Sequence, residues 1–127
     1  MAGYAQYNPN PHHARVGDCV IRAISRALDQ SWDDTYTGIV LKGYEIKDMP
    51  SANNVWGAYL RDHGFSRHII DADHGYTVAD FAQDHPEGVY ILAIDGHVVC
   101  VQDGKWWDTW DSANETPVYY WAKTKEA

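Results

Sequence analysis

Two side chains in this sequence, Cys19 and His97, have the chemistry of a nucleophile and its base. Cys19 follows Gly17-Asp18 and precedes Val20, Ile21, Ile24, Ala27 and Leu28, which recur at helical spacing. The thiol therefore belongs to the first turn of a predicted helix, with Asp18 as its expected N-cap. Backbone N–H groups without intrahelical acceptors and the positive end of the helix dipole favour thiolate there. A thiolate so placed is nucleophilic and lies beside donors able to hold an oxyanion. His97 follows the turn Asp95-Gly96 and opens a predicted strand. If Asp103-Gly104 is a two-residue turn, Gln102 faces Lys105, Val99 faces Asp108 and His97 faces Trp110. Side-chain alternation then puts His97, Val99, Asp108 and Trp110 on one face, with Asp108 a diagonal neighbour of His97. Asp108 can fix the imidazole tautomer, whereas Asp111 falls on the other face. The same alternation sends Cys100 to the core, Trp106 and Trp110 to the His97 side as cleft-lining candidates, and Trp107 away from it.

Several elements must hold these residues in place. The sequence opens with an extended, Pro-punctuated lead-in over residues 1–16, containing Asn8-Pro9-Asn10-Pro11 and His12-His13. The first helix is predicted to end near Asp29–Gln30, with Arg22 and Arg26 sharing a solvated face. Ser31, with Asp34 three residues on, starts a second helix through Ile39 and Val40. Gly43–Pro50 reads as a loop. A third helix runs from about Ser51 to His63 and stops at Gly64, with Trp56, Tyr59 and Leu60 in the core. A short strand follows at His68–Ile70, then a helix from Thr77 to His85. The last third reads as strands Gly88–Ile94, His97–Gln102, Lys105–Trp110 and Val118–Trp121, joined by tight turns. Helices followed by an antiparallel meander predict a single α+β domain over 1–127.

Gly17-Asp18-Cys19-Val20-Ile21-Arg22-Ala23-Ile24, Gly96-His97-Val98-Val99, Asp103-Gly104 and Trp107-Asp108-Thr109 together resemble small phage and bacterial proteins of the papain-like cysteine peptidase superfamily. The resemblance spans Asn8 to about Trp121. It implies a helix opened by the nucleophile and packed on an antiparallel sheet that carries the histidine and its polar partner. By position, Cys19 matches the nucleophile, His97 the general base and Asp108 the third member, with attack on an amide or related acyl bond through a thioester. The family usually places an oxyanion glutamine about six residues before the cysteine, and here that position is His13. Asn10 and Asn8, or Gln6 from further away, are the other candidate donors. The resemblance implies a protein or peptide substrate. The departure at His13 keeps a second reading in view: a catalytically weak domain that binds a partner protein or interferes with a host protein.

Composition excludes other classes. The protein has 127 residues and a net charge of -8, which argues against a phosphate-binding surface and hence nucleic acid. No apolar run approaches a membrane span, and the polar N-terminus lacks a signal-peptide core, so a cytoplasmic protein is expected. Two cysteines do not make a disulfide framework. The seven histidines show no metal-ligand spacing, the Asp71–Thr77 segment reads as a specificity loop, and no phosphate-binding motif is present; no metal or cofactor is expected. Six Trp and nine Tyr against two Phe suit a cleft or an interface.

Overall fold

The structure, a computed structural model, describes residues 3–71 and 75–123. Its elements are β1 (Gly3–Gln6), α1 (Cys19–Leu28), α2 (Trp32–Ile46), α3 (Asn53–Asp62), β2 (Phe65–Ile69), α4 (Val78–Asp84), β3 (Val89–Ile94), β4 (His97–Gln102), β5 (Lys105–Asp108) and β6 (Pro117–Lys123). The fold is α+β, around one six-stranded sheet in the order β1-β5-β4-β3-β6-β2. Asp73 and His74 of the expected specificity loop lie outside the described residues.

The centre of the sheet follows from the sequence. Strands β3 and β4 are nearly continuous apolar runs because both faces are covered. Ile91, Val98 and Cys100 pack with Ile24, Val55, Trp56 and Leu60 under α1 to α3, whereas Leu92, Val99 and Val101 pack with Val78, Phe81 and Trp106 under α4. Cys100 is fully buried, on the face that alternation assigns it. Asp103 and Gly104 both have positive φ, 53° and 77°, the type I′ geometry that suits a two-residue hairpin. It sets the register Gln102↔Lys105, Val101↔Trp106 and Cys100↔Trp107, which is the register the sequence predicts.

The edges differ from expectation. The sheet is mixed, not antiparallel throughout: β1, inside the lead-in, pairs parallel with β5 from Gly3↔Lys105 to Gln6↔Asp108. A four-residue edge strand of Gly, Tyr, Ala and Gln has no apolar alternation to reveal it, and its partner lies about a hundred residues away. β2 starts at Phe65, earlier than predicted, because Phe65 packs into the core with Trp121 and Leu60. The α2 helix also runs through Gly43 to Ile46, where the sequence suggests a loop. Gly43 acts as a point of close approach and not as a breaker. Its carbonyl accepts the N–H groups of Lys47 (2.8 Å) and Asp48 (3.0 Å) as the backbone turns back. No helix among the described residues is long and apolar enough to cross a membrane.

This turn gives a test. A Cβ on Gly43 would meet the Asp48 carbonyl oxygen at 2.9 Å, and backbone cannot swing aside as a side chain does. Gly43→Ala is therefore expected to cost about 1–3 kcal/mol, read as a lower urea midpoint at unchanged slope.

Candidate active site

The topology brings the chemistry-bearing residues to one end of the sheet. Cys19 is the first residue of α1, His97 the first of β4 and Asp108 the last of β5. Helix α1 crosses β4 with its N-terminus at the His97 end. His97 Nε2 lies 2.6 Å from Asp108 Oδ2, which leaves Nδ1 free of that carboxylate, and Cys19 and His97 line the same two cavities. Trp110 lies against the imidazole, with ring centroids 5.0 Å apart. Asp111 instead accepts from Trp106 Nε1 at 2.8 Å and from the Ala113 N–H.

Asp108 is only 1 % exposed, so its carboxylate needs donors from the protein. It has four. Oδ2 takes His97 and the Ser112 hydroxyl (2.9 Å), and Oδ1 takes the Thr109 N–H (2.8 Å) and Arg22 Nη2 (3.3 Å). Arg22 also pairs with Asp18 one helical turn earlier, and Trp32 Nε1 donates to the other Asp18 oxygen at 2.9 Å. Two expectations change here. Arg22 is buried and not on a solvated face with Arg26, because it neutralises two carboxylates. Asp18 occupies the N-cap position, but its side chain makes no capping bond, since both of its oxygens are taken. The N–H groups of Cys19, Val20 and Ile21 thus have neither an intrahelical acceptor nor a side-chain cap. Arg22, Ser112 and Thr109 carry no motif. Only the i,i+4 spacing of Asp18 and Arg22 hinted at a pair.

The charges of the pair follow from these contacts. Burial alone would push the Cys19 thiol up, but the His97 and Val98 hydrogen bonds and the positive charges of His97 and Arg22 hold it below the ordinary cysteine value. Burial alone would pull His97 down. Its bonds to Asp108 and Cys19 override this and raise it to about 9. Burial likewise pushes Asp108 up, yet it stays below the usual carboxylate range because His97, Ser112 and Thr109 all donate to it. Both directions favour moving the proton from Cys19 to His97. Cys100, buried among apolar side chains, is pushed up to about 12 and is inert.

The remaining candidates fall elsewhere. Asn8 and Asn10 turn inward on their own loop: Asn8 Oδ1 accepts the Asn10 N–H (3.2 Å), Asn10 Oδ1 accepts the His12 N–H (2.9 Å), and Asn8 Nδ2 donates to the Ala14 carbonyl (3.4 Å). These are successive Asx turns. His13 is exposed at φ 55°. None of the three lines a cavity that Cys19 borders. Gln6 accepts from Tyr4 on β1. Trp106 is 7 % exposed in the core against α4 and is not a cleft wall. Alternation assigns its face correctly, but that face is covered by a helix there and opens only at the strand end, where Trp110 lies. Trp107, on the opposite face, is covered by the Arg26 guanidinium, 3.8 Å from the ring centroid.

Two cavities meet at Cys19, Gly96 and His97. One, of about 500 Å³, is walled by Val20, Trp56, Asp95, Val98 and Tyr119. The other, of about 320 Å³, is walled by Arg15, Val16, Thr109 and Trp110. Among the described residues no group of three His, Cys, Asp or Glu side chains could hold a metal ion. Compared with models of known families, with curated proteins and with solved structures, the protein matches none.

Ultraviolet titration at about 240 nm, where thiolate absorbs, tests the electrostatics directly. One thiolate should form below the ordinary cysteine value. It should disappear in Cys19→Ser and form at higher pH in both His97→Ala and Arg22→Met, because each removes a positive charge that favours the thiolate.

Proposed function

We propose that the protein is a papain-like cysteine hydrolase acting on protein or peptide bonds. The observation that carries this reading is His97 held by Asp108 at 2.6 Å on one ring nitrogen, with Cys19 beside it on the shared wall of two cavities. In that arrangement the Cys19 thiolate attacks the carbonyl carbon, and the oxyanion is held by the open N–H groups at the start of α1. The His97 imidazolium gives its proton to the leaving amine as the C–N bond breaks, leaving a thioester and a neutral imidazole. His97 then takes a proton from water as its oxygen attacks the thioester, and the C–S bond breaks to release the acid and the Cys19 thiolate, which restores the thiolate–imidazolium pair. Asp108 keeps Nε2–H in place throughout, so Nδ1 faces the reaction.

A second reading is a domain that binds a partner without turnover. It is favoured by the absence of Asn8, Asn10 and His13 from the Cys19 cavities, and by Tyr36, Leu41 and Tyr44, which stand exposed on α2. The two readings part on thiol chemistry. For the hydrolase, Cys19 alkylates with iodoacetamide at a pH well below the ordinary cysteine value, and His97→Ala slows it. A Cys19 that behaves as an ordinary thiol, indifferent to His97, leaves the binding reading.

On any peptide that is cleaved, kcat/KM should be bell-shaped in pH. It rises as the thiolate forms and falls near pH 9 as His97 loses the proton it must donate. Asp108→Asn is expected to lower kcat by about 10²–10⁴-fold, and Asp111→Asn by no more than a few-fold.

A further inference from the structure

The Asn-Pro-Asn-Pro-His-His lead-in has a job that the catalytic reading does not use: it places Arg15. The residues on either side of this arginine are fastened. Asn8 donates to the Ala14 carbonyl on one side, and the Asp18 N–H bonds the Val16 carbonyl at 2.8 Å on the other. Between them Arg15 stands on the wall of the 320 Å³ cavity that Cys19, His97 and Trp110 also line.

Arg15 differs from the other cations near the site. Arg22, on the same cavity, is spent on Asp18 and Asp108, and Arg26 bonds Gln102 and covers Trp107. Arg15 pairs with no carboxylate among the described residues, in a protein of 18 acidic and 10 basic residues. A guanidinium always carries its charge and matches a carboxylate with two parallel N–H donors. The larger cavity has the opposite character, with Asp95 on its wall. The cleft is thus polarised, positive on the Trp110 side of the Cys19–His97 pair and negative beyond it.

We infer that Arg15 is a carboxylate-binding subsite, and that the preferred substrate carries a carboxylate, from an acidic side chain or from a free peptide C-terminus, beside the bond that is cut. The inference rests on the hydrolase reading for its substrate and on the cavity for its chemistry. Trp110, 43 % exposed, offers an apolar wall to the carbon atoms that bear the charge.

Two measurements test it. In the first, Cys19 is alkylated by iodoacetate and by iodoacetamide, which differ in one carboxylate. The ratio of rate constants should fall about tenfold in Arg15→Glu, the factor associated with losing one charge-assisted hydrogen bond. It should be largely kept in Arg15→Lys and unchanged in Lys47→Glu, the same charge reversal at the far end of α2. In the second, purified protein is offered three peptide sets: acidic side chains with an amidated C-terminus, neutral side chains with a free C-terminus, and neutral amidated controls. One of the first two sets should be preferred about tenfold, which identifies the source of the carboxylate, and Arg15→Glu should abolish the preference through KM. An unchanged alkylation ratio overturns the inference. So does equal cleavage of all three sets, which leaves the hydrolase reading intact. A ratio that falls while no peptide is cleaved sinks the hydrolase reading and keeps the carboxylate site.

Discussion

The buried carboxylate of Asp108 is the constraint on which the site depends. A charge with 1 % exposure is tolerated only when its lone pairs are filled, and the four donors come from different parts of the sequence. His97 comes from the start of β4, Arg22 from α1, and Thr109 and Ser112 from the turn after β5. Satisfying one side chain therefore fixes α1 relative to the β4–β5 hairpin. That relation determines where the Cys19 sulfur meets the imidazole. The geometry of the Cys19–His97–Asp108 cluster and local stability share the same bonds here.

The same network explains the open helix start. Asp18 would ordinarily bond the N–H groups of the first turn. Arg22 and Trp32 draw both of its oxygens away, and a capping contribution of roughly 0.5–2 kcal/mol is forgone. The first-turn donors stay open beside the Cys19 side chain, where the proposed hydrolase needs donors for an oxyanion. Arg22 is thus linked to both ends of the chemistry, as the counter-charge that occupies Asp18 and as the fourth donor to Asp108.

Legibility in the sequence followed the range of the forces. The β4–β5 hairpin is readable because Asp103-Gly104 demands one turn type, and turn type fixes register. Cys19 at a helix start and Cys100 in the core come from helical and strand periodicity respectively. Strand β1 is not readable, since its pairing with β5 is set by main-chain hydrogen bonds that leave no pattern in Tyr4 or Gln6. The burial of Arg22 is hidden for a related reason: a charged residue on a helix looks solvated until a carboxylate 86 positions away closes over it. Asn8 and Asn10 mislead because their type suits both an oxyanion donor and an Asx turn, and short-range bonds to Asn10, His12 and Ala14 settle the matter locally. Trp106 shows that alternation assigns a face but not what covers it.

The charge distribution accounts for how proton transfer from Cys19 to His97 is favoured in a strongly acidic protein. Asp18 and Asp108 carry two negative charges and Arg22 one positive, so the cluster has one negative charge in excess before Cys19 and His97 react. Moving the proton from sulfur to imidazole leaves that total unchanged. It places the new positive charge against Asp108, while the new negative charge sits at the open end of α1. Only a dipole is created, and both of its poles already face groups of opposite sign. The free energy of forming the ion pair is therefore governed by the few groups in contact with it and not by the net charge of -8, which lies mostly on screened surface. An acidic protein can in this way favour a thiolate at one position, provided a cation is placed inside the structure beside it, as Arg22 is.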